Sequence, residues 1–220
     1  YMDFPQDFLP EVGGMFYQQE MQHVLKHIKG INGVEVTAEK LNHSIGLYNK
    51  NRQLIESIYN IRQDYPWRLT IEDVYHIVRA GTVIPVEEHN DILEQVYNFI
   101  KEDIGEPQDK VKVIVSGSFC EQPAIGLIRA IEQSGCYVVD DDFSLGSRMI
   151  LGDIDNTSPN PLEAIANAYI TKSQFSSSIY DVDNPKEYRL AKIVKDRGAG
   201  GVIFAAPSFC DPALLDAPIF

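Results

Sequence analysis

Residues 111–142 read VKVIVSGSFCEQPAIGLIRAIEQSGCYVVDDD, and the fold class follows from them. Val111 to Val115 is a short run rich in β-branched residues, the pattern of a strand buried on both sides. From Gln122 to Ser134 the apolar residues step by three and four, as on one face of a helix, and Gly135 ends that stretch. Cys136 to Val139 is a second apolar run. Buried strands joined by a helix imply a parallel sheet with helices on both faces. The same signals continue downstream. Helices are expected at Pro161 to Thr171 and at Lys186 to Arg197, the latter closed by Gly198, followed by a buried strand at Gly201 to Ala206. The Ser- and Asp-rich stretch Ser173 to Asn184 reads as an exposed loop. We therefore expect a Rossmann-like α/β domain over residues 111–220, incomplete at its C-terminus.

Upstream of the polar linker Gly105 to Lys110 the periodicity is helical throughout. Phe16, Met21, Val24, Leu25 and Ile28 mark a first amphipathic helix, Phe16 to Ile28, closed by Gly30 and Gly33. Thr37 is a candidate N-cap for a long helix that runs through Ile45, Leu54, Ile58 and Ile61 until Pro66 stops it. Thr70 caps a third helix, Ile71 to Ala80, whose first turn carries Glu72 and Asp73 where the helix dipole favours negative charge. A fourth spans Glu87 to about Ile104. Residues 1–105 are thus read as a helical subdomain.

Of the 220 residues, 44% are hydrophobic and 23% charged, which excludes a disordered or low-complexity chain. No apolar run approaches the ~18 residues that span a bilayer. The net charge is −13 and no stretch is rich in Lys or Arg, so nucleic acid and anionic membrane surfaces are poor partners. The chain opens Tyr1-Met2 and closes on Ala217-Pro218-Ile219-Phe220, which we read as an internal fragment. Three unevenly spaced cysteines do not make a disulfide framework, and a reducing cytoplasm is the simplest setting.

Ligands of a parallel sheet bind beyond the carboxyl ends of its strands. Three loops leave that edge: Ser116 to Pro123, Asp140 to Arg148 and Pro207 to Pro212. They carry Cys120 and Cys210. Each is either a soft ligand for an iron–sulfur cluster or zinc, a redox thiol, or a small apolar residue packed under its loop. Cys136 starts its strand, roughly 13 to 17 Å from the other end, and reads as a core thiol. Asp140 to Asp142 follow a strand directly, where carboxylates orient ligands or accept protons, or else make a solvated turn. Arg148 is placed to clamp a phosphate or carboxylate, or to pair with those aspartates.

Other polar groups carry less. His23 and His27 stand four apart, as a zinc pair would, but without a third ligand in register they read as surface residues. His43, His76 and His89 are isolated. Tyr48, Asn49, Asn51 and Arg52 form a polar patch on the long helix, read as a solvated face. No dinucleotide, P-loop or nucleophile-elbow motif is present, which removes most support from those enzyme classes.

Three phrases in order, SGSFCEQP (116–123), SGCYVVDDDF-x-LGSR (134–148) and GVIFAAPSFCDP (201–212), resemble the benzoyl-CoA reductase and 2-hydroxyacyl-CoA dehydratase family. Their wording is most similar to iron–sulfur subunits of ATP-dependent benzoyl-CoA reductase. The stretch TAEKLNHSIGLYNKNRQLIESIYNIR (37–62) resembles the helical segment that this family places between two α/β domains. The resemblance implies a missing first domain and a missing C-terminal tail.

It further implies a [4Fe-4S] cluster held by three cysteines with one iron open. Cys210 in FCDP and Cys120 in CEQP match ligand positions, the remaining ligands being expected outside this chain. Implied partners are a homologous iron–sulfur subunit, an ATP-dependent iron–sulfur activator and an acyl-CoA substrate. The reductases dearomatise the ring of an aryl-CoA; the dehydratases eliminate water from a 2-hydroxyacyl-CoA through a ketyl radical. Ser116, Ser118 and Ser208 would donate hydrogen bonds at such a site. Asp141 and Arg148 complete the expected substrate-binding set, Arg148 against the polyanionic coenzyme A. A non-catalytic scaffold subunit of the same heterodimer, and a zinc or thiol-redox protein, are the alternatives.

Overall fold

A computed structural model describes residues 1–102, 105–117, 123–173 and 185–216. It is a mixed α/β fold with eight α-helices among the described residues: α1 Met15–Asn32, α2 Ala38–Asp64, α3 Ile71–Ala80, α4 Val86–Ile100, α5 Ile125–Gln133, α6 Pro161–Lys172, α7 Lys186–Asp196 and α8 Asp211–Asp216. Three strands, β1 Val111–Ser116, β2 Cys136–Asp141 and β3 Gly201–Phe204, form one sheet in the order β2-β1-β3. Both pairings are parallel, as the continuous apolar runs require.

The described residues pack as two compact units, 1–52 with 151–174, and 53–150 with 175–220. This boundary differs from the change of residue pattern near 105. The physical reason is burial: the second half of α2, with α3 and α4, supplies Ile55, Ile58, Tyr59, Ile71, Val74, Leu93 and Ile100 to the same core as Val113, Val115 and Val138 of the sheet. The helices after residue 52 therefore share the sheet's core. Ile114, between Val113 and Val115, points to the opposite face of the sheet and is also buried. In the other unit, Tyr17 and Met21 of α1 pack against Ala166 of α6, with Leu162, Ile165 and Tyr169 around them.

Local signals place most element ends. Thr70 accepts a hydrogen bond from Asp73 N and starts α3 as expected. Gly33, at φ 71°, ends α1 in the left-handed region that a residue with a Cβ avoids. Several bounds differ from expectation. Helix α1 continues past Gly30 to Asn32, since a single glycine weakens a helix without breaking it. Helix α4 ends at Ile100, short of residue 104. Helix α5 starts at Ile125 because Ala124, after Pro123, is extended; Gln122 lies outside the described residues. Strand β3 stops at Phe204. The loop expected after Cys210 is instead α8, in whose first turn Pro212 is tolerated because the amide there has no helical partner. The expected exposed loop Ser173 to Asn184 lies outside the described residues from 174 onward.

The expected solvated face on α2 holds at Tyr48, which is exposed, and is corrected at Asn49, Asn51 and Arg52. Asn49 and Asn51 are buried. Asn49 exchanges two hydrogen bonds with Ile154, donating from Nδ2 to its carbonyl (2.7 Å) and accepting its N–H (3.0 Å). Arg52 donates to Asn49 Oδ1, and burial lowers its pKa although Asp153 lies beside it. Asn49 and Arg52 thus join the segment after residue 150 to the helix and are used inside the fold.

Candidate functional site

Strand β1 has β2 on one side and β3 on the other, so the connections diverge at the carboxyl end of β1. In parallel sheets this divergence opens the ligand crevice. At that end Ala205 N donates to Ser116 O at 2.6 Å, which joins the segment after β3 to the last residue of β1. Gly117 stands in the gap at φ 104°, and a Cβ there would lie 3.2 Å from Ala206 N and from the Phe204 ring. Glycine is required both by the backbone conformation and by the close approach.

A third loop is tied in by carboxylates. Strand β2 runs on through Asp140 and Asp141, both buried, so the acidic run is a strand end and not the solvated turn that was the alternative. Asp140 accepts from Arg197 Nε at 2.6 Å, and Arg197 reaches Gln63 and Asn60 with its other arm. Asp141, 6% exposed, accepts from Tyr59 Oη at 2.5 Å and from the amides of Phe143 (2.9 Å) and Ser147 (3.1 Å). Burial and the neighbouring Asp140 charge push its carboxyl up to about 7. Tyr59 is raised well above the ordinary phenol, first by burial and then by Asp141. Asp142 accepts from Gly117 N (2.7 Å) and Ser116 Oγ (3.0 Å), with Arg148 Nη2 at 3.9 Å. One carboxylate thus holds both the last residue of β1 and the glycine after it.

The turn after β3 is closed by Cys210 N donating to Pro207 O at 3.2 Å. Its third residue, Phe209, has φ 64°, where glycine is the usual occupant. A residue with a Cβ pays on the order of 1 kcal/mol for that conformation. Phe209 is also 95% exposed, while Cys210 beside it is 6% exposed.

The expected site residues sort as follows. Cys210 lies at the crevice edge, under its turn. Ser116 is buried and its hydroxyl is turned to Asp142. Ser208 is exposed on the turn. Arg148 stands by Asp142. Asp141 is inside the fold, bonded to Tyr59 and to its own turn. Cys120 and Ser118 lie outside the described residues. Cys136, half-buried, packs against the core at the start of β2 as expected. His23 lies 3.4 Å from Glu20 on the exposed side of α1. Sequence reading passed over Tyr59, whose partner is far along the chain, and Phe209, whose residue type gives no sign of a left-handed backbone.

Residues 1–220 match the family described as 2-hydroxyglutaryl-CoA dehydratase, D-component. The chain belongs to that family. Its relatives include a benzoyl-CoA reductase subunit of Thauera aromatica, 39% identical over 100% of this chain and 57% of that protein. The beta subunit of (R)-phenyllactyl-CoA dehydratase of Clostridium sporogenes is 23% identical over 97% of the chain and 56% of its own length. The beta subunit of (R)-2-hydroxyglutaryl-CoA dehydratase of Acidaminococcus fermentans is 24% identical over 99% of the chain and 58% of its own length. The chain therefore spans somewhat more than half the length of these curated relatives.

Against the cluster that the dehydratase-family resemblance implies, the described residues supply a single crevice thiol, Cys210. Among them no three His, Cys, Asp or Glu side chains converge as metal ligands. One thiolate does not hold a [4Fe-4S] cluster, so these residues do not form a cluster site by themselves. No described helix is long and apolar enough to cross a membrane.

Proposed function

We propose that this chain is part of an iron–sulfur subunit of an aryl-CoA reductase, which passes low-potential, ATP-coupled electrons to a benzoyl-CoA-type thioester. The observation that carries the reading is similarity along the whole of this chain to 57% of the Thauera aromatica benzoyl-CoA reductase protein at 39% identity, against 23% and 24% for the two dehydratase subunits above. In this reading Cys210 and Cys120 are two thiolate ligands of a [4Fe-4S] cluster, with the remaining ligands elsewhere in a longer protein. A homologous iron–sulfur subunit and an ATP-dependent iron–sulfur activator are its partners, in the cytoplasm. Ser116, Ser118, Ser208 and Arg148 would serve the substrate side of the crevice. Asp141 would serve it indirectly, by holding the turn that carries Arg148.

The second reading, a 2-hydroxyacyl-CoA dehydratase subunit, is favoured by the description of the matching family and by both dehydratase relatives. The deciding experiment takes the complete protein with its partners, purified without oxygen, beside its Cys210→Ser variant. Iron and acid-labile sulfide near four each, lost in the variant, would support a cluster-bearing protein. Reduction of benzoyl-CoA then supports the reductase, and water loss from a 2-hydroxyacyl-CoA supports the dehydratase. Absence of iron from both proteins would leave a scaffold subunit, and zinc without sulfide would support the zinc protein.

A further inference from the structure

The turn Pro207 to Cys210 bears two costs. Phe209 holds a left-handed backbone conformation, and its ring stands 95% exposed. Glycine would close the same turn without either cost. Strain of this kind clusters at active sites and ligand clamps. The place agrees: the turn follows β3 at the carboxyl edge, where the Phe204 ring and Ala206 N close on Gly117 beside the end of β1. A phenyl ring offers dispersion and a quadrupole but no hydrogen bond. Of the parts of a coenzyme A thioester, the ring therefore suits the acyl group and not the polyanionic carrier.

We propose that Phe209 is a ligand-contact residue whose ring packs against the aromatic acyl group of the thioester in the crevice. The inference rests on the aryl-CoA reading given above. It makes Phe209 a determinant of specificity for aryl over short aliphatic thioesters.

The test is equilibrium binding, by calorimetry, of benzoyl-CoA and of acetyl-CoA to the complete protein in its complex, with wild type, Phe209→Gly and Phe209→Leu compared. Aromatic contacts of this size correspond to a roughly two- to tenfold loss of affinity. The expected result is that loss for benzoyl-CoA in Phe209→Gly, a smaller loss in Phe209→Leu, and unchanged acetyl-CoA binding in both. The thermal midpoint of Phe209→Gly should not fall below wild type, since the substitution relieves the backbone. Unchanged benzoyl-CoA binding, or equal loss for both thioesters, would overturn the inference while leaving the aryl-CoA reading standing. A lowered midpoint would show a packed core ring, and dissociation of the complex would show a protein contact; either overturns it. A wild type that binds a 2-hydroxyacyl-CoA and not benzoyl-CoA, or that binds no thioester, overturns the aryl-CoA reading and the inference together.

Discussion

Tyr59 on α2 donates its hydroxyl to Asp141 Oδ2 at 2.5 Å, and both side chains are buried at the end of β2. The pair fixes where the strand turns toward Asp142 and Arg148. Its chemistry is pH-dependent. In the unfolded chain an aspartate titrates near 4, at about 3.9; in the fold Asp141 titrates at about 7. The folded state binds more protons over that window, so the contribution of Asp141 to stability is full below about pH 4 and is lost as pH rises through about 7.

Asp141→Asn removes this titration while keeping an oxygen for the amides of Phe143 and Ser147. The variant should gain on wild type in urea midpoint as pH rises from about 4 to about 7, a range set by the two titrations. A constant difference across that range would show that Asp141 does not titrate there. Tyr59→Phe removes a buried donor and should cost about 1 to 3 kcal/mol.

The Arg62–Glu132 pair predicts a coupling. Arg62, 0% exposed, donates to Leu69 O (2.8 Å), Val138 O (2.7 Å) and Glu132 Oε1 (3.4 Å). Glu132, raised by burial, also accepts from Ile71 N at 3.1 Å. Glu132→Leu strands a buried cation and should cost about 3 to 5 kcal/mol, whereas Arg62→Met with Glu132→Leu should cost less than the sum of the two single changes. Chemical denaturation of the four proteins of this cycle measures the difference, and simple additivity would show that the two groups act separately.

Much of the framework is legible along the chain because it is local. Thr70 with Asp73 announces α3, and the β-branched run at Val111 announces β1. What escapes is what distant contacts decide. Asp141 reads as one of three acidic loop residues until Tyr59, 82 positions earlier, meets it. Asn49 looks like solvated surface, yet residue 154 buries it. Strand β2 outlasts its apolar run because Arg197 and Tyr59 neutralise or bond its aspartates. Cys210 was readable as a crevice residue because loops after parallel strands share an edge. The twist at Phe209 was not, since phenylalanine does not encode a positive φ.

Two glycines should respond in opposite ways to alanine. A Cβ at Gly146 would lie 2.5 Å from Asp141 Oδ1, 2.8 Å from Phe143 Cβ and 3.0 Å from Tyr59 Oη, so Gly146→Ala must displace the turn. A cost of about 1 to 3 kcal/mol is expected. Gly126, in α5, meets nothing within 4 Å. Gly126→Ala should raise stability by up to about 1 kcal/mol through helix propensity. Thermal midpoints of the two variants check both signs, and a neutral Gly146→Ala would mean that the Asp141 turn yields easily.

Asp142 makes the most direct prediction about the crevice. Its Oδ2 holds Gly117 N and Ser116 Oγ, and its own amide donates to Val115 O at 3.1 Å. The side chain therefore restrains the first residue beyond β1, while the strand itself is kept by its ladder with β2 and β3. Hydrogen bonds to a charged acceptor are worth about 1.5 to 3 kcal/mol, so Asp142→Ala should speed amide exchange at Gly117 by roughly tenfold or more. Exchange at Val113 and Ile114, inside the ladder, should change much less, because local opening at the loop does not require the strand to open. Asp142→Asn, which keeps an oxygen acceptor, should fall between. Equal acceleration at Gly117 and in the strand would show that Asp142 supports the whole sheet. No acceleration at all would show that Gly117 is fixed by other groups.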